Sequence, residues 1–300
     1  MHRVRNLVIA LAAVGVTLAC GFGSAPLAQG NGVATIVAST MRVLTPASPA
    51  ATAVATTAAF QGIPVKYKNV SFTIPTGLAS DAAPQTVPAT AQESGGPWWE
   101  PAPEHIEFTL DGYSVLSNAF QEIRIDVFPA DAYANVNTGA NISLQRLKAA
   151  LGNASAPLTN KTLPQVPDFN AASMIAAQIK RLSFQNGEGV RSVTQYGQAA
   201  NPIANDGTFY HFQGLTSDGK FYIIAVLPVQ APVLQNGQKP GSTLPAGGVP
   251  YPANNQIPDT TVFEAYYNAV TDKLNALPND RFTPSLANLD ALVQSIRVEP

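Results

Sequence analysis

The sequence predicts an α+β domain, an antiparallel β-sheet covered by helices, carried behind a signal peptide and a flexible stalk. Three observations lead there. Short runs of β-branched and aromatic residues recur between turn signals from residue 60 to residue 229. Two amphipathic helical patterns close the chain. A basic and then apolar N-terminus is followed, at 21–59, by a segment with no sustained period of 2 or 3.6.

Met1-His2-Arg3-Val4-Arg5 is basic, and residues 7–19 form an apolar run. That run is too short to span ~30 Å of hydrocarbon comfortably, but it suits the core of a signal peptide. The sole cysteine follows directly, and Thr17-Leu18-Ala19-Cys20 resembles the lipobox of bacterial lipoproteins, in which the cysteine carries diacylglycerol. Ala19 fits that pattern; Thr17 and Leu18 depart from it. The resemblance implies lipid attachment at Cys20, a membrane tether and an extracytoplasmic address. The alternative is a secreted protein cut a few residues later, although Pro26 obstructs cleavage after Ala25. Residues 21–59 are rich in Ala, Thr, Ser and Pro with Arg42 the only charge, and read as the stalk. One globular domain is expected over 60–300.

Composition limits what that domain meets. Hydrophobic residues are 46%, enough for a sizeable core, while charged residues are 12% against the ~25% of ordinary soluble domains. Without Arg3 and Arg5 the chain has 15 basic and 19 acidic residues, a net charge of −4. No basic run or basic-aromatic stripe is present, so nucleic acid is not an expected partner. With Cys20 alone, no disulfide is available and the core must hold the fold.

Residues 65–74 read as a strand or hairpin stopped by Pro75-Thr76-Gly77, and residues 79–103 as a Pro/Ala/Gly-rich loop. Strands follow at 105–110 and 122–128. In the second, Ile123, Ile125 and Val127 alternate with Arg124 and Asp126, which predicts one buried face and one wet one. A helix fits 143–151, capped by Ser143, stapled by Ile142 and Leu147, with Gly152 at its C′ position. Strands 178–185 and 189–196 pair around Asn186-Gly187.

The strongest hairpin joins 208–214 to 220–229 through Asp218-Gly219, with Ser217 facing Lys220. That register puts Tyr210, Phe212, Phe221, Ile223, Ala225 and Leu227 on one face. Phe209, His211, Gln213, Leu215, Tyr222, Ile224 and Val226 fall on the other. Both faces are mostly apolar, so these are expected to be central strands covered on both sides. Residues 230–259 form a long loop of the kind that often carries function. Thr261-x-x-Glu264 then reads as a capping box before the stripe Phe263, Tyr266, Tyr267, Val270, Leu274 and Leu277. Thr283-Pro284 opens the last helix, with Leu286, Leu289, Val293 and Ile296 on one side.

Several of these segments resemble the PsbP-like fold of exported bacterial proteins. They are Val70-Ser71-Phe72-Thr73-Ile74-Pro75, the strand 189–196, the hairpin 209–229 and Leu289-Asp290-Ala291-Leu292-Val293-Gln294-Ser295-Ile296. The resemblance implies an antiparallel sheet between helical layers and a last helix running into a short final strand. It also implies binding or assembly rather than catalysis, and it transfers no functional residues.

The catalytic inventory is thin. No Gly-x-Ser-x-Gly elbow, His-Glu-x-x-His helix, Cys-x-x-Cys pair or Gly-x-Gly-x-x-Gly turn is present, and no cofactor is implied. His105 and Glu107, two apart on a strand, share a face and can supply two ligands of a divalent metal, with His211 or a further carboxylate completing the set. The plainer alternative is a polar strand face, with His211 a hydrogen-bonded core residue. Trp98-Trp99, in a Gly- and Pro-flanked loop, is the best candidate contact for a glycan, peptide or protein, joined by Tyr251; the alternative is a pair of rings capping the core. Three readings follow: a non-enzymatic surface-binding lipoprotein, a divalent-metal hydrolase using His105, Glu107 and His211, and a structural surface-layer component.

Overall fold

The computed structural model describes residues 61–93, 96–113, 118–165, 171–239, 241–252 and 260–300. The expected signal peptide with Cys20, and the stalk, lie outside the described residues.

The chain runs through β1 (Gly62–Tyr67), β2 (Val70–Pro75), β3 (Asp81–Val87), β4 (His105–Asp111) and β5 (Arg124–Pro129) to α1 (Ala130–Val136) and α2 (Thr138–Gly152). It continues with β6 (Ala172–Ser173), β7 (Ala177–Phe184), β8 (Gly187–Gly197), β9 (Thr208–Thr216) and β10 (Phe221–Pro228). Helices α3 (Thr260–Asn275) and α4 (Leu286–Gln294) then lead into β11 (Arg297–Val298). The main sheet is antiparallel in the order β3-β4-β5-β10-β9-β8, with β6 and β7 both pairing with β8. A second antiparallel sheet, β1-β2-β11, is joined to α4 where the Ser295 hydroxyl accepts from the Thr73 amide at 2.9 Å.

The central hairpin follows from its two-sided apolar pattern. Tyr222 faces Leu215 and Val226 faces His211, the register read from the sequence. Tyr210, Phe212, Ile223, Ala225 and Leu227 join one core with α3, α4 and β2. Phe209, Tyr222, Ile224 and Val226 join a second core with α1 and α2. Each fully buried ring or branched aliphatic here contributes on the order of 1.5–3 kcal/mol. Helices therefore cover both faces of the main sheet.

Other expectations needed correction. The segment 79–103 contains β3, an edge strand whose Asp, Ala, Pro and Gln disguise it; an edge tolerates Pro84 because one side of the strand needs no ladder donor. The face of β5 expected to be wet is covered, and Asp126 is only 5% exposed. Helix α2 starts five residues before Ser143 and is capped by Asn137, whose side chain accepts from Ala140 N. Ser143 is buried inside the helix and donates to Gln165 O. Ile142, 47% exposed, makes no staple, and Gly152 closes the last turn without left-handed backbone.

The β7–β8 turn is Gln185-Asn186, one residue earlier than expected, because Phe184 pairs with Gly187. A Cβ at Gly187 would lie 2.2 Å from Phe184 Cζ and 2.4 Å from Leu215 O, so only glycine fits this crossing. Thr261 stands in the first turn of α3 rather than at its cap. Helix α4 starts at Leu286 with Ser285, not Thr283, as its cap.

Candidate functional site

Two features with chemical character lie along one stretch of chain between β3 and β4. The first is the tryptophan loop. Thr90 and Ala102 exchange backbone hydrogen bonds at 2.8 and 3.1 Å, which closes the loop at its base. Trp98 and Trp99 sit on a turn in which Glu100 N donates to Pro97 O at 3.2 Å. Trp98 is 49% exposed, and Trp99 is half-buried edge-on to it at 5.7 Å. The buried Asn137 side chain reaches this loop from the α1–α2 junction, its Nδ2 donating to Trp99 O at 3.2 Å and Pro101 O at 3.0 Å. The Trp98 indole is thus open to solvent beside backbone that is held at Trp99 and Pro101.

The second feature begins where that stretch enters β4. In the β4–β5 register Glu107 lies opposite Asp126, and His105 shares their face two residues along. One ligand atom from each of His105, Glu107 and Asp126 lies within 4.8 Å of the others. His105 stacks on Phe128 at 4.2 Å, and Phe128 stacks on Tyr133 of α1 at 4.2 Å. The Pro103 carbonyl can only accept, so His105 Nδ1, at 2.9 Å, carries the proton and Nε2 keeps its lone pair. Gln85 of β3 donates to Glu107, and Arg124 Nε donates to Asp126 Oδ2 at 3.1 Å. Burial holds His105 below the ordinary histidine value, against the opposing pull of the Pro103 carbonyl and Glu107.

His211 stands apart from this group. It occupies β9, with β5 and β10 between it and β4, so strand spacing alone puts it ~14 Å from His105 at the backbone. Its Nε2 accepts from Gln213 Nε2 at 3.0 Å, and the Gln213 carbonyl oxygen accepts from Tyr222 OH. Burial, aided by the Arg124 cation, pushes its pKa down to about 3. It is a neutral core residue, and the expected His105–Glu107–His211 set becomes His105–Glu107–Asp126.

No protein-family model matches the chain, and no curated protein or solved structure matches it either. Tyr251 does not join the tryptophan loop. It packs on Phe263 and Tyr266 of α3 at 5.6 and 5.1 Å, across the main sheet from Asn137 and the second core. Two roomier hollows lie elsewhere. A 470 Å³ groove runs over Val65, Lys66, Phe72 and Ser295, and a 290 Å³ hollow holds Arg146, Pro157, Leu158 and Lys161. Neither is lined by Trp98, His105 or His211.

Two residues of the candidate features are not legible in the sequence. Asp126 looked like an ordinary wet-face residue in an alternating strand, and only the register opposite Glu107 marks it. Asn137 had a local signal, an Asn three residues before Ala140 in a helix-compatible run, but nothing to show that its amide reaches back to Trp99.

Proposed function

We propose that this chain is a non-enzymatic binding module displayed outside the cytoplasmic membrane. A lipid on Cys20 holds it there, and the Trp98–Trp99 loop meets a protein, peptide or glycan. One observation carries the reading: Trp98 stands in water on a loop whose backbone is clamped by the buried Asn137. Leaving apolar surface exposed costs ~25 cal/mol per Å², and a clamped indole loses little further freedom on stacking. Such a ring can cover the apolar face of a sugar or a peptide side chain while its N–H meets polar edges.

The address rests on the basic N-terminus, the apolar run and Cys20. The antiparallel sheet between two helix pairs, with α4 passing into β11, supports a PsbP-like assignment and with it a binding or assembly role. The test is co-sedimentation of the protein with insoluble envelope glycan, beside the Trp98→Ala variant. Retention lost in the variant supports the reading. Equal retention of both contradicts the role of Trp98, and no retention of either protein contradicts an envelope glycan as the partner.

A further inference from the structure

We propose that His105, Glu107 and Asp126 form a binding site for one divalent transition-metal cation of the zinc class, at the root of the tryptophan loop. The inference does not depend on what Trp98 touches.

The donors come from rigid elements. Glu107 and Asp126 are directly opposed across the β4–β5 ladder, and His105 follows on the same face, so pleat and register place all three. Their ligand atoms already lie within 4.8 Å of one another. A tetrahedral cation with ligand bonds of ~2.1 Å wants them about 3.4 Å apart, a contraction that small side-chain rotations supply.

The surrounding groups orient these donors. The Pro103 carbonyl, 2.9 Å from His105 Nδ1, fixes the tautomer with Nε2 available, the arrangement found where histidine ligates metal. The Gln85 amide steadies Glu107 from the neighbouring strand β3. Arg124 holds Asp126 at 3.1 Å.

Charge points the same way. Two carboxylates directly opposite on paired strands repel. Arg124 offsets one of them and leaves the cluster with one net negative charge, which a divalent cation more than neutralises. One imidazole with two carboxylates suits zinc and its neighbours better than calcium, which prefers six to eight oxygens. Three protein ligands leave a coordination position open.

The test is a zinc titration of the untagged full-length chain, stripped with chelator and followed by competition with a zinc-responsive dye. One tight equivalent is expected, weakened at least tenfold in His105→Ala and in Glu107→Gln and unchanged in His211→Ala. Glu107→Gln is nearly isosteric and keeps Asp126 with Arg124, so it reads ligation if His105→Ala disturbs packing on Phe128. Circular dichroism of each variant verifies that the sheet is intact. Absence of a tight equivalent overturns the proposal. So does an equivalent that survives undiminished in both variants.

Discussion

The side-chain amide of Asn137 donates to the backbone carbonyl of Trp99 at 3.2 Å while its oxygen accepts from Ala140 N at 3.0 Å. A second donor bond, to Pro101 O at 3.0 Å, completes the set. One buried side chain therefore caps α2 and clamps the tryptophan loop, tying the order of the loop to the start of the helix.

Asn137→Ala is expected to remove both functions. Loss of the cap costs about 1 kcal/mol. The carbonyls left behind add on the order of 1–3 kcal/mol unless water reaches them. The thermal midpoint should fall, and acrylamide should quench the tryptophan emission more strongly than in the wild type. Unchanged quenching would show that the loop is held by something else.

Asp290 of α4 gathers three partners at 3.1 Å: Arg191 and Tyr210 on one oxygen, Lys180 on the other. Arg191 is almost wholly buried. Removing the countercharge with Asp290→Asn should destabilise the fold by ~3–5 kcal/mol, measured by urea unfolding. The double replacement Arg191→Met with Asp290→Leu should cost less than Asp290→Asn alone, because no charge is then stranded. A larger loss in the double variant would refute this account of the cluster.

His211 makes stability depend on pH. Its folded pKa is about 3 against 6.5 when unfolded, so between those values the unfolded chain binds the extra proton. Stability is full above about pH 6.5 and declines as pH falls toward 3, with a slope of up to ~1.4 kcal/mol per unit from this residue. His211→Asn, which keeps an acceptor for Gln213, should flatten the decline over pH 4–6. Identical slopes in the two proteins would mean that carboxylates alone cause it.

Cys20→Ser should abolish incorporation of labelled palmitate into the protein in expressing cells, because the thiol that takes the lipid is gone. Undiminished labelling of the variant would contradict lipid attachment at Cys20. An unlabelled wild type would support cleavage beyond Cys20.

The fold was legible where pattern is strong. The Asp218-Gly219 turn fixes the register of β9 and β10 to the residue, their apolar residues on both faces mark them as central, and the stripes of α3 and α4 name their buried sides. The rest was hidden for physical reasons. β3 lies at an edge and includes Pro84, and α1 is too short to show a period. Asn137, not Ser143, caps α2 because the helix begins at Thr138, five residues before the start that Ser143 suggested. Of the candidate site, His105 and Glu107 were visible because two-residue spacing on a strand guarantees a shared face. Asp126 was not, since cross-strand register cannot be read from one strand. His211 was legible as a hydrogen-bonded core residue from its mostly apolar face, and its place as a third metal ligand failed because two strands separate β9 from β4.

The most direct test of the central claim is a thermal-shift comparison of wild type and Trp98→Ala across peptides, wall fragments and simple glycans. A ligand that binds only the folded state raises the midpoint by an amount set by its concentration over its Kd. At least one ligand is predicted to raise the wild-type midpoint, with the shift lost in Trp98→Ala and unloaded midpoints that agree. The same shift in both proteins would contradict the claim that Trp98 is the contact.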